Sequence, residues 1–348
     1  MSSGQRDLPG LSVPELGAFL DRALPGLLTG PLSAELVAGG RSNLTYVLSD
    51  GTSRWVLRRP PLGSVAATAH DMGREHRLLA ALHPTAVPVP QPILLADDEL
   101  LGAPFYVMSF ADGVVLRERA QLDALSEGQA ASLTDALTGV LVQLHEVDPA
   151  HVALADLGRP DGYLVRQLRR WTAQLARLEG DALPGLRRLG ERLAQDVPPP
   201  QRACVVHGDY RLDNVVVDPG TLAVRAVLDW EMATLGDPLA DLASTVVWWD
   251  GISGLDSPVA AVPGDVPGFP SSARIVDRYA ERTGLDLTRL PWYSAFALFK
   301  AAAIFEGIHE RQRLGLTVGE GFDRLGPMVG PLTSRGHAAL DGAAPGRV

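Results

Sequence analysis

A Val-rich hairpin pattern between Asn214 and Asp229 limits the possible folds of this 348-residue chain more than any other feature. Val215-Val216-Val217 and Ala223 to Leu228 have the composition of strands, and the turn residues Asp218-Pro219-Gly220 separate them. The pattern predicts two antiparallel strands joined by a tight turn. Because the first strand starts after Asn214 and the second ends before Asp229, their pairing is expected to bring these two residues together.

Asn214 also ends a motif that begins at His207 and contains Asp209, in the spacing H-x-D-x-x-x-x-N. Phosphoryl transfer requires a carboxylate that accepts or orients the proton of the attacking hydroxyl, and oxygen ligands for the metal that neutralises the phosphates. Asp209 fits the first role, and Asn214 with Asp229 offers the oxygen ligands that Mg²⁺ prefers. A lone Asp is more often a turn or helix-cap residue, but the complete set favours phosphoryl-transfer chemistry.

The composition excludes several classes of partner. With a formal net charge of -10, the chain has no overall positive field that would attract nucleic acid or anionic lipid. Cys204 is the only cysteine and the N-terminus lacks the apolar core of a signal peptide, so we expect a cytoplasmic location. The apolar stretch from Trp292 to Ile308 contains Lys300 and Glu306. It is shorter than the roughly 20 residues of a membrane span and predicts a buried helix.

The residues before Asp112-Gly113 show short strand patterns and one helix pattern. Leu44 to Leu48 and Trp55 to Arg58 predict a hairpin with its turn at Asp50-Gly51. The patterns that follow predict a helix from Met72 to Leu82, a loop from Pro84 to Pro92 and a strand from Phe105 to Phe110.

The residues after Asp112-Gly113 are mostly helical. Helical periodicity covers Ala130 to Glu146, Tyr163 to Leu178 and Ile275 to Leu314, and the composition of Asp250 to Ser272 predicts a loop. We therefore expect an α+β fold with two domains. A small N-terminal lobe with an antiparallel sheet would span residues 1–111, and a larger, mostly helical C-terminal lobe would span residues 112–348.

Two further segments accompany the motif from His207 to Asn214. They read Val227-Leu228-Asp229-Trp230-Glu231 and Gly236-Asp237-Pro238-Leu239-Ala240-Asp241-Leu242-Ala243. Together the three resemble the aminoglycoside phosphotransferase and choline kinase group of kinase-like enzymes. With Gly39-Gly40-Arg41-Ser42-Asn43-Leu44-Thr45 and Val56-Leu57-Arg58-Arg59-Pro60-Pro61, the similarity is greatest to the kinase-like domain fused to some acyl-CoA dehydrogenases. The resemblance covers nearly the whole chain.

This resemblance implies a bilobed, protein-kinase-like fold, ATP and Mg²⁺ as cofactors, and a small-molecule hydroxyl as acceptor. Asp209 is implied to be the catalytic base or the group that orients the hydroxyl, and Asn214 and Asp229 are implied to hold Mg²⁺. The residues implied to bind the nucleotide are Gly39, Gly40, Arg41, Ser42, Asn43, Arg58, Glu75, Met108 and Phe110. Gly39 to Asn43 would cover the phosphates with backbone N–H groups. Glu75 would pair with Arg58, and Phe105 to Phe110 would be the hinge strand beside adenine.

The chain departs from the general kinase pattern at the third strand, where that pattern places a lysine. Lys300 is the only lysine among the 31 lysines and arginines, and Arg58 stands at the matching position. A guanidinium can hold phosphates and a carboxylate bidentately, but it is bulkier than an ammonium group. Strand alternation puts Arg58 and Arg59 on opposite faces without showing which one faces the nucleotide. Arg58 is our candidate, and a solvated strand-end charge is the alternative for either.

Other residues have competing interpretations. His207 is expected to organise the Asp209 loop (residues 207–214) by hydrogen bonds, with acid-base chemistry as the alternative. The resemblance implies that Asp241 braces this loop, and Cys204 is expected to be a small buried hydrophobic residue. One arginine stretch could face a phosphate-bearing substrate such as a coenzyme A thioester, or simply solvent. It comprises Arg166, Arg169, Arg170, Arg177, Arg187, Arg188 and Arg192. The residues predicted for an acceptor pocket are Trp248, Trp249, Asp250, Glu306, His309 and Glu310. For the aromatic residues, the alternative is a place in the hydrophobic core.

Two functional hypotheses of different class follow. The first is an active ATP-dependent small-molecule kinase, with a hydroxyacyl-CoA as the leading acceptor and an aminoglycoside or choline as alternatives. The second is a nucleotide-binding pseudokinase, which the missing lysine suggests and the intact pair of Asn214 and Asp229 argues against. A kinase that acts on protein hydroxyls fits less well, because Trp230-Glu231 follows Asp229 in place of Phe-Gly.

Overall fold

The computed structural model describes residues 8–37, 43–62, 71–97, 99–178, 180, 183–314 and 322–342. The chain forms two compact units: the first comprises Met1–Asp112 and Ala226–Glu231, and the second comprises Gly113–Arg225 and Met232–Val348. The predicted domains differ from these units in two ways. The division after Asp112 lies one residue later, and Ala226–Glu231 packs with the first unit, where the backbone N–H of Val227 donates to the carbonyl of Pro88 at 2.8 Å.

The first unit contains a five-stranded antiparallel sheet. Its strands are β1 (Ser33–Leu36), β2 (Leu44–Ser49), β3 (Arg54–Arg59), β4 (Pro92–Ala96) and β5 (Phe105–Ser109), in the order β1-β2-β3-β5-β4. The hairpin of β2 and β3 confirms the prediction, with Ser49 paired with Arg54. Its turn is closed by Asp50, whose side chain accepts from the N–H groups of Thr52 at 2.9 Å and Ser53 at 2.7 Å.

The predicted loop from Pro84 to Pro92 is wrong at its end, because Pro92 begins β4. A proline cannot donate a hydrogen bond to a neighbouring strand, and prolines are therefore rare in the centre of sheets. β4 is an edge strand, where this missing donor is tolerated. The strand predicted from Phe105 to Phe110 is present as β5 and ends one residue earlier.

Helix α1 (Val13–Ala23), which the sequence analysis did not predict, covers one face of the sheet. Leu16 and Leu20 of this helix are fully buried and belong to one apolar cluster with Tyr46, Leu48 and Leu57. These strand residues alternate along β2 and β3. The alternation therefore places the odd-numbered side chains of β3 toward α1 and leaves the even-numbered ones on the opposite face.

Helix α2 (Met72–Leu82) has the predicted bounds. It begins after Asp71, whose carboxylate accepts from the backbone N–H of Arg74 at 2.9 Å and caps the helix. Its buried positions follow helical periodicity and comprise Met72, Glu75, Leu78, Leu79 and Leu82. Glu75 is the only charged member of this buried face.

The second unit is mostly helical. Its helices are α3 (Arg119–Asp123), α4 (Glu127–Glu146), α5 (Tyr163–Leu175), α6 (Leu183–Gln195), α7 (Pro238–Val246), α8 (Ser272–Thr283), α9 (Leu290–Arg313) and α10 (Gly326–Leu340). The predicted helical stretch from Ile275 to Leu314 is two helices, because Gly284 adopts φ +64° and ends α8. The predicted buried helix from Trp292 to Ile308 lies within α9.

Short strands interrupt these helices. β6 (Cys204–Val206) pairs antiparallel with β9 (Thr234–Gly236), and the predicted Val-rich hairpin is formed by β7 (Val215–Val217) and β8 (Val224–Val227). At the turn of this hairpin, the N–H of Asp218 donates to the carbonyl of Ala223 at 2.9 Å. None of the described helices combines the length and the apolar character needed to cross a membrane.

Candidate active site

The Asp209 loop follows β6 in the second unit. The strand paired with β6 is β9, which directly precedes α7, so the loop starts beside the first turn of this helix. There the carboxylate of Asp241 accepts hydrogen bonds from the backbone N–H groups of His207 at 2.6 Å and Gly208 at 2.8 Å. The predicted bracing role of Asp241 is confirmed by these two bonds.

Asp241 is a buried charge, with 2% of the residue exposed. Burial acts to raise its pKa, but the hydrogen bond and charge of His145 and the N–H of Gly208 outweigh burial. The pKa of Asp241 therefore lies below its usual value, and the carboxylate is ionised at neutral pH. His145 Nε2 lies 3.4 Å from Asp241, and Nδ1 of the same ring lies 2.7 Å from the hydroxyl of Tyr279.

His207 and Gly208 shape the backbone next to Asp209. The ring nitrogen Nδ1 of His207, which is fully buried, accepts a hydrogen bond from the backbone N–H of Asp209 at 3.2 Å. This contact confirms that His207 organises the loop. Gly208 adopts φ +83°, and a Cβ atom there would lie 2.8 Å from the carbonyl oxygen of Met232. Both the conformation and the close approach require glycine.

Two neighbours hold the carboxylate of Asp209. The side-chain amide of Asn214 donates to Oδ2 at 3.1 Å and to the backbone oxygen of Asp209 at 2.9 Å. The guanidinium of Arg211 lies 3.3 Å from Oδ1. The side chain of Asp209 is 28% exposed. A fixed and accessible carboxylate of this kind can accept a proton from a bound hydroxyl.

Arg211 and Asp213 are functional candidates that the sequence analysis missed, because the spacing H-x-D-x-x-x-x-N leaves their positions unspecified. Arg211 pairs with Asp213 at 2.9 Å, and its guanidinium carbon lies 4.5 Å from the ring centroid of Trp248. Burial raises the pKa of Asp213, and the charge of Arg211 opposes this rise. Arg211 is therefore fixed between two carboxylates and an aromatic ring, one of the carboxylates being Asp209.

Asp229 belongs to the first unit and follows β8 in the chain, since the division between the units falls within this strand, after Arg225. Its backbone adopts φ +64°, a left-handed conformation that is uncommon for any residue other than glycine. Oδ1 of Asp229 accepts a hydrogen bond from Nη2 of Arg58 at 2.8 Å. Residues in such strained backbone conformations are concentrated at functional sites. Asp229 is also one of the two magnesium ligands that the sequence predicts.

Of the neighbouring arginines Arg58 and Arg59, only Arg58 faces acidic side chains among the described residues. Arg58 projects from the face of β3 opposite α1 and contacts Glu75 at 3.5 Å, Asp229 at 2.8 Å and Glu231 at 3.5 Å. Arg59 projects to the other face and donates to backbone carbonyls, among them that of Leu101 at 3.2 Å. The preference for Arg58 is thus supported by its contacts, while its role in nucleotide binding stays a prediction.

Glu75 forms the predicted ion pair with Arg58 in the interior of the first unit, where only 3% of Glu75 is exposed. Oε2 of Glu75 accepts a hydrogen bond from the hydroxyl of Tyr106 at 2.9 Å, whereas Oε1 is buried without a hydrogen-bond partner among the described residues. Burial raises the pKa of Glu75, and Arg58 and Tyr106 oppose the rise. Burial also acts to lower the pKa of Arg58, but Glu75, Tyr106 and Asp229 raise it.

The other residues predicted to bind the nucleotide have the following positions. Gly39, Gly40, Arg41 and Ser42 lie outside the described residues. Asn43 is buried, and its side-chain amide donates to Glu231 at 3.2 Å. Met108 is buried in β5, and the ring of Phe110 lies 3.9 Å from the guanidinium carbon of Arg54. No contact tests their binding of a nucleotide, so these roles stay predictions.

The donor atoms of the two predicted metal ligands fit Mg²⁺. The amide nitrogen of Asn214 bonds to Asp209, which leaves its oxygen as a free acceptor within the described part of the second unit. In Asp229, Arg58 engages Oδ1, and Oδ2 has no hydrogen bond to the described residues. An amide oxygen and a carboxylate oxygen are ligands that Mg²⁺ accepts. Because Asn214 and Asp229 belong to different units, their shared site stays a prediction.

The arginine stretch divides into structural and exposed members. Arg187 donates to the carbonyl oxygens of Leu175 at 3.1 Å and Leu178 at 3.0 Å, which closes the end of α5. Arg166 bonds to nearby carbonyls, and Arg192 bonds to His337 and Asp341. Arg169, Arg170, Arg177 and Arg188 are exposed. Of these four, the neighbouring Arg169 and Arg170 on α5 stay the candidates for a substrate contact.

A pocket in the second unit lies beside the Asp209 loop. Its lining includes Tyr210, Arg211, Asp213, Trp248 and Trp249, together with residues 260–263. Two of the six residues predicted for the acceptor pocket therefore line it. The other four do not: Asp250 accepts from the N–H of Ser272 at 2.7 Å, Glu310 pairs with Arg313 at 2.8 Å, and neither Glu306 nor His309 contributes to the lining.

Comparison with known proteins places this geometry in a family. Residues 33–290 match the model of the phosphotransferase enzyme family. Acyl-CoA dehydrogenase family member 10 of Mus musculus is 34% identical over 304 residues, which cover 85% of this chain and 28% of that protein. Acyl-CoA dehydrogenase family member 11 of Gallus gallus is 33% identical, over 92% of this chain and 42% of that protein. The chain thus spans less than half the length of these curated relatives.

A solved structure gives the same result for the fold. A protein of Ralstonia eutropha JMP134, described as a candidate aminoglycoside phosphotransferase, is 31% identical with a TM-score of 0.81. The similarity covers 96% of this chain and 99% of that chain. The protein-kinase-like fold and the family resemblance predicted from the sequence are confirmed. This chain therefore belongs to the phosphotransferase enzyme family.

Proposed function

We propose that this protein transfers the γ-phosphoryl group of ATP, with magnesium, to a hydroxyl group of a small molecule. The observation that carries the proposal is the geometry of Asp209. Asn214 and Arg211 fix its carboxylate at 3.1 Å and 3.3 Å, and the side chain remains accessible. Membership of the phosphotransferase enzyme family supports the reaction class.

In the proposed reaction, the acceptor hydroxyl attacks the γ-phosphorus in line, and Asp209 orients this hydroxyl and accepts its proton. A bond forms between the hydroxyl oxygen and phosphorus, while the bond from phosphorus to the oxygen bridging the β-phosphate breaks. The products are a phosphate monoester and ADP. Arg58 would position the phosphates of the nucleotide, because it is the cation fixed by the buried Glu75.

Asn214 and Asp229 would hold the magnesium ion through the two side-chain oxygens that the described residues leave without a hydrogen bond. When bound, the ion neutralises charge on the phosphate oxygens. Arg58 already contacts Oδ1 of Asp229 at 2.8 Å. This contact would orient the carboxylate so that Oδ2 serves as the ligand.

For the acceptor, we propose a hydroxyacyl-CoA. The support is the similarity to acyl-CoA dehydrogenase family members, of whose length the chain matches 28% and 42%. The pocket beside the Asp209 loop has Trp248, Trp249 and aliphatic residues in its lining together with the charged Arg211 and Asp213. Its volume of about 20 Å³ admits no more than a water molecule, so an acyl chain would require the pocket to widen. The exposed Arg169 and Arg170 offer positive charge for the phosphates of coenzyme A.

The test is ADP release from ATP and magnesium across a panel of hydroxylated acceptors, comprising hydroxyacyl-CoA thioesters, aminoglycosides and choline. We expect release that depends on one acceptor class. Asp209→Ala should reduce it by about 10² to 10⁴-fold while nucleotide binding is retained, because the variant lacks the base. Turnover within about twofold of the wild type would exclude the assigned role of Asp209.

A second candidate function rests on Arg58. Three carboxylates surround this residue, and it replaces the usual lysine of kinase-like proteins, so the site could bind a nucleotide without transferring its phosphate. In that case the protein would bind ATP and release no ADP with any acceptor. The same panel distinguishes the two functions when ATP binding is measured in parallel by calorimetry.

A further inference from the structure

Lys300, the only lysine of the chain, lies within α9 and reaches the Asp209 loop. Its ammonium nitrogen Nζ donates a hydrogen bond to the carbonyl oxygen of Gly208 at 2.7 Å. The two residues are 92 positions apart in the chain and belong to the same unit. The contact therefore connects a largely buried helix to the residue directly before Asp209.

The carbonyl of Gly208 belongs to the same peptide group as the N–H of Asp209. That N–H donates to Nδ1 of His207 at 3.2 Å, and the N–H of Gly208 itself donates to Asp241 at 2.8 Å. Lys300 holds the oxygen of this peptide group. Because a peptide group is planar, fixing its oxygen and its N–H fixes the position of the Asp209 Cα atom, from which the side chain extends.

The ammonium group of Lys300 faces charges from three elements. Burial has the largest effect and lowers the pKa of Lys300 below that of an ordinary lysine. Asp209 in the loop and Asp241 in α7 favour the charged form, whereas Arg170 in α5 disfavours it. Among the described residues, Gly208 is its one hydrogen-bond partner. An ammonium group has three donors, so two remain beside Asp209.

We propose that Lys300 is a positioning residue for phosphoryl transfer: its ammonium group holds the Gly208–Asp209 peptide and thereby keeps the carboxylate of Asp209 directed at the acceptor hydroxyl. This proposal rests on the proposed function, because it assigns Lys300 to the reaction of Asp209. A lysine that only satisfied a partly buried carbonyl would affect the stability of the protein, but not the rate at which the folded enzyme turns over.

The kinetic test compares Lys300→Met and Lys300→Arg with Arg311→Met, a matched loss of an exposed charge from the same helix. We expect Lys300→Met to lower kcat by about tenfold or more, as for a lost charged hydrogen bond, with the KM for ATP within about twofold. Lys300→Arg should recover part of kcat. Both variants are first shown to be folded by circular dichroism. If the kcat of Lys300→Met then lies within about twofold of the kcat of Arg311→Met, the proposal is overturned.

The pH profile gives a second readout that a purely structural lysine would not change. The kcat of the wild type should fall with rising pH at a value below the pKa of an ordinary lysine, because the ammonium group loses its charge there. Lys300→Arg should show no such fall in this range, since arginine stays charged. Identical basic limbs in the two proteins would contradict the assignment.

A measurement that needs no activity separates this proposal from the proposed function. Selective ¹³Cε-lysine labelling gives a single NMR signal, because Lys300 is the only lysine. This signal should titrate with a pKa below that of an ordinary lysine, and its chemical shift should change in Asp209→Asn. In a second experiment, amide hydrogen exchange of residues 207–211 should be faster in Lys300→Met but not in Arg311→Met. If these effects appear while the wild type transfers no phosphate, the proposed function fails and the positioning contact stands. Unchanged exchange would overturn the contact itself.

Discussion

Replacing Arg58 with methionine should destabilise the first unit, and more strongly at higher pH. Methionine retains an unbranched apolar side chain but leaves the carboxylate of Glu75 buried without its cation, which lies 3.5 Å away in the wild type. Removing one partner of a buried ion pair typically costs about 3–5 kcal/mol. The other two carboxylates contribute less: Asp229 is 36% exposed, and a pair this open to water contributes no more than about 1 kcal/mol.

The pH dependence follows from the pKa of Glu75, which burial raises and Arg58 lowers. Without Arg58 the folded pKa rises further above the unfolded value of about 4.3. At pH values between the unfolded and the folded pKa of Glu75, the folded protein then binds more protons than the unfolded chain. Stability is therefore lost progressively as pH rises through this window. The full loss is reached above the folded pKa, and only a small loss remains near pH 4.3.

The assay is equilibrium urea unfolding of the full chain at about pH 5 and about pH 8. Hydrogen exchange of residues 54–59 and 72–82 locates the effect in the first unit. The matched control is the double variant Arg58→Met with Glu75→Gln, which removes the buried charge and should recover most of the lost stability. An equal loss at both pH values, or no recovery in the double variant, would show that the unpaired charge of Glu75 is not the cause of the destabilisation.

Three further predictions concern the second unit. Asp241→Asn should lower the free energy of unfolding by about 2–4 kcal/mol in urea, because it replaces a buried acceptor of two backbone N–H groups; a loss below about 0.5 kcal/mol would contradict this. Gly208→Ala should reduce phosphoryl transfer by about tenfold or more with ATP affinity retained. The control is Gly284→Ala, because Gly284 also has a positive φ but a Cβ atom there would have no other atom within 4 Å. Equal effects of the two substitutions would show that the close approach of residue 208 to Met232 is not the cause. Charge reversal of Arg169 and Arg170 to glutamate should raise the KM for a hydroxyacyl-CoA, and an unchanged KM would exclude that contact.

The local structure of the motifs could be predicted from the sequence, because their signals lie within a few residues. The helix from Met72 to Leu82 has the predicted bounds, since its periodicity starts directly after Asp71 and the loop prolines follow it. The two hairpins were also predictable, because each combines strand-forming residues with a turn pair such as Asp50-Gly51. The Asp209 loop was found from its spacing alone.

Contacts between distant residues could not be predicted in this way. Alternation put Arg58 and Arg59 on opposite faces, but the choice of face depends on α1, which packs on one side of the sheet and was not predicted. Lys300 appeared only as a charge in an apolar helix, because its contact with Gly208 joins residues 92 positions apart. Side-chain pairs of this kind depend on tertiary packing and leave no periodic signal in one sequence.

Phosphoryl transfer by this protein can be followed directly as transfer of label from ATP to the acceptor. ATP labelled with ³²P in the γ position is incubated with magnesium, the acceptor class that stimulates ADP release, and either the wild type or Asp209→Ala. We predict that the label appears in the phosphorylated acceptor with the wild type, and that its rate of appearance falls by about 10² to 10⁴-fold with the variant. Label that appears only as inorganic phosphate, or that reaches the acceptor equally with Asp209→Ala, would exclude phosphoryl transfer to the acceptor with Asp209 as its base.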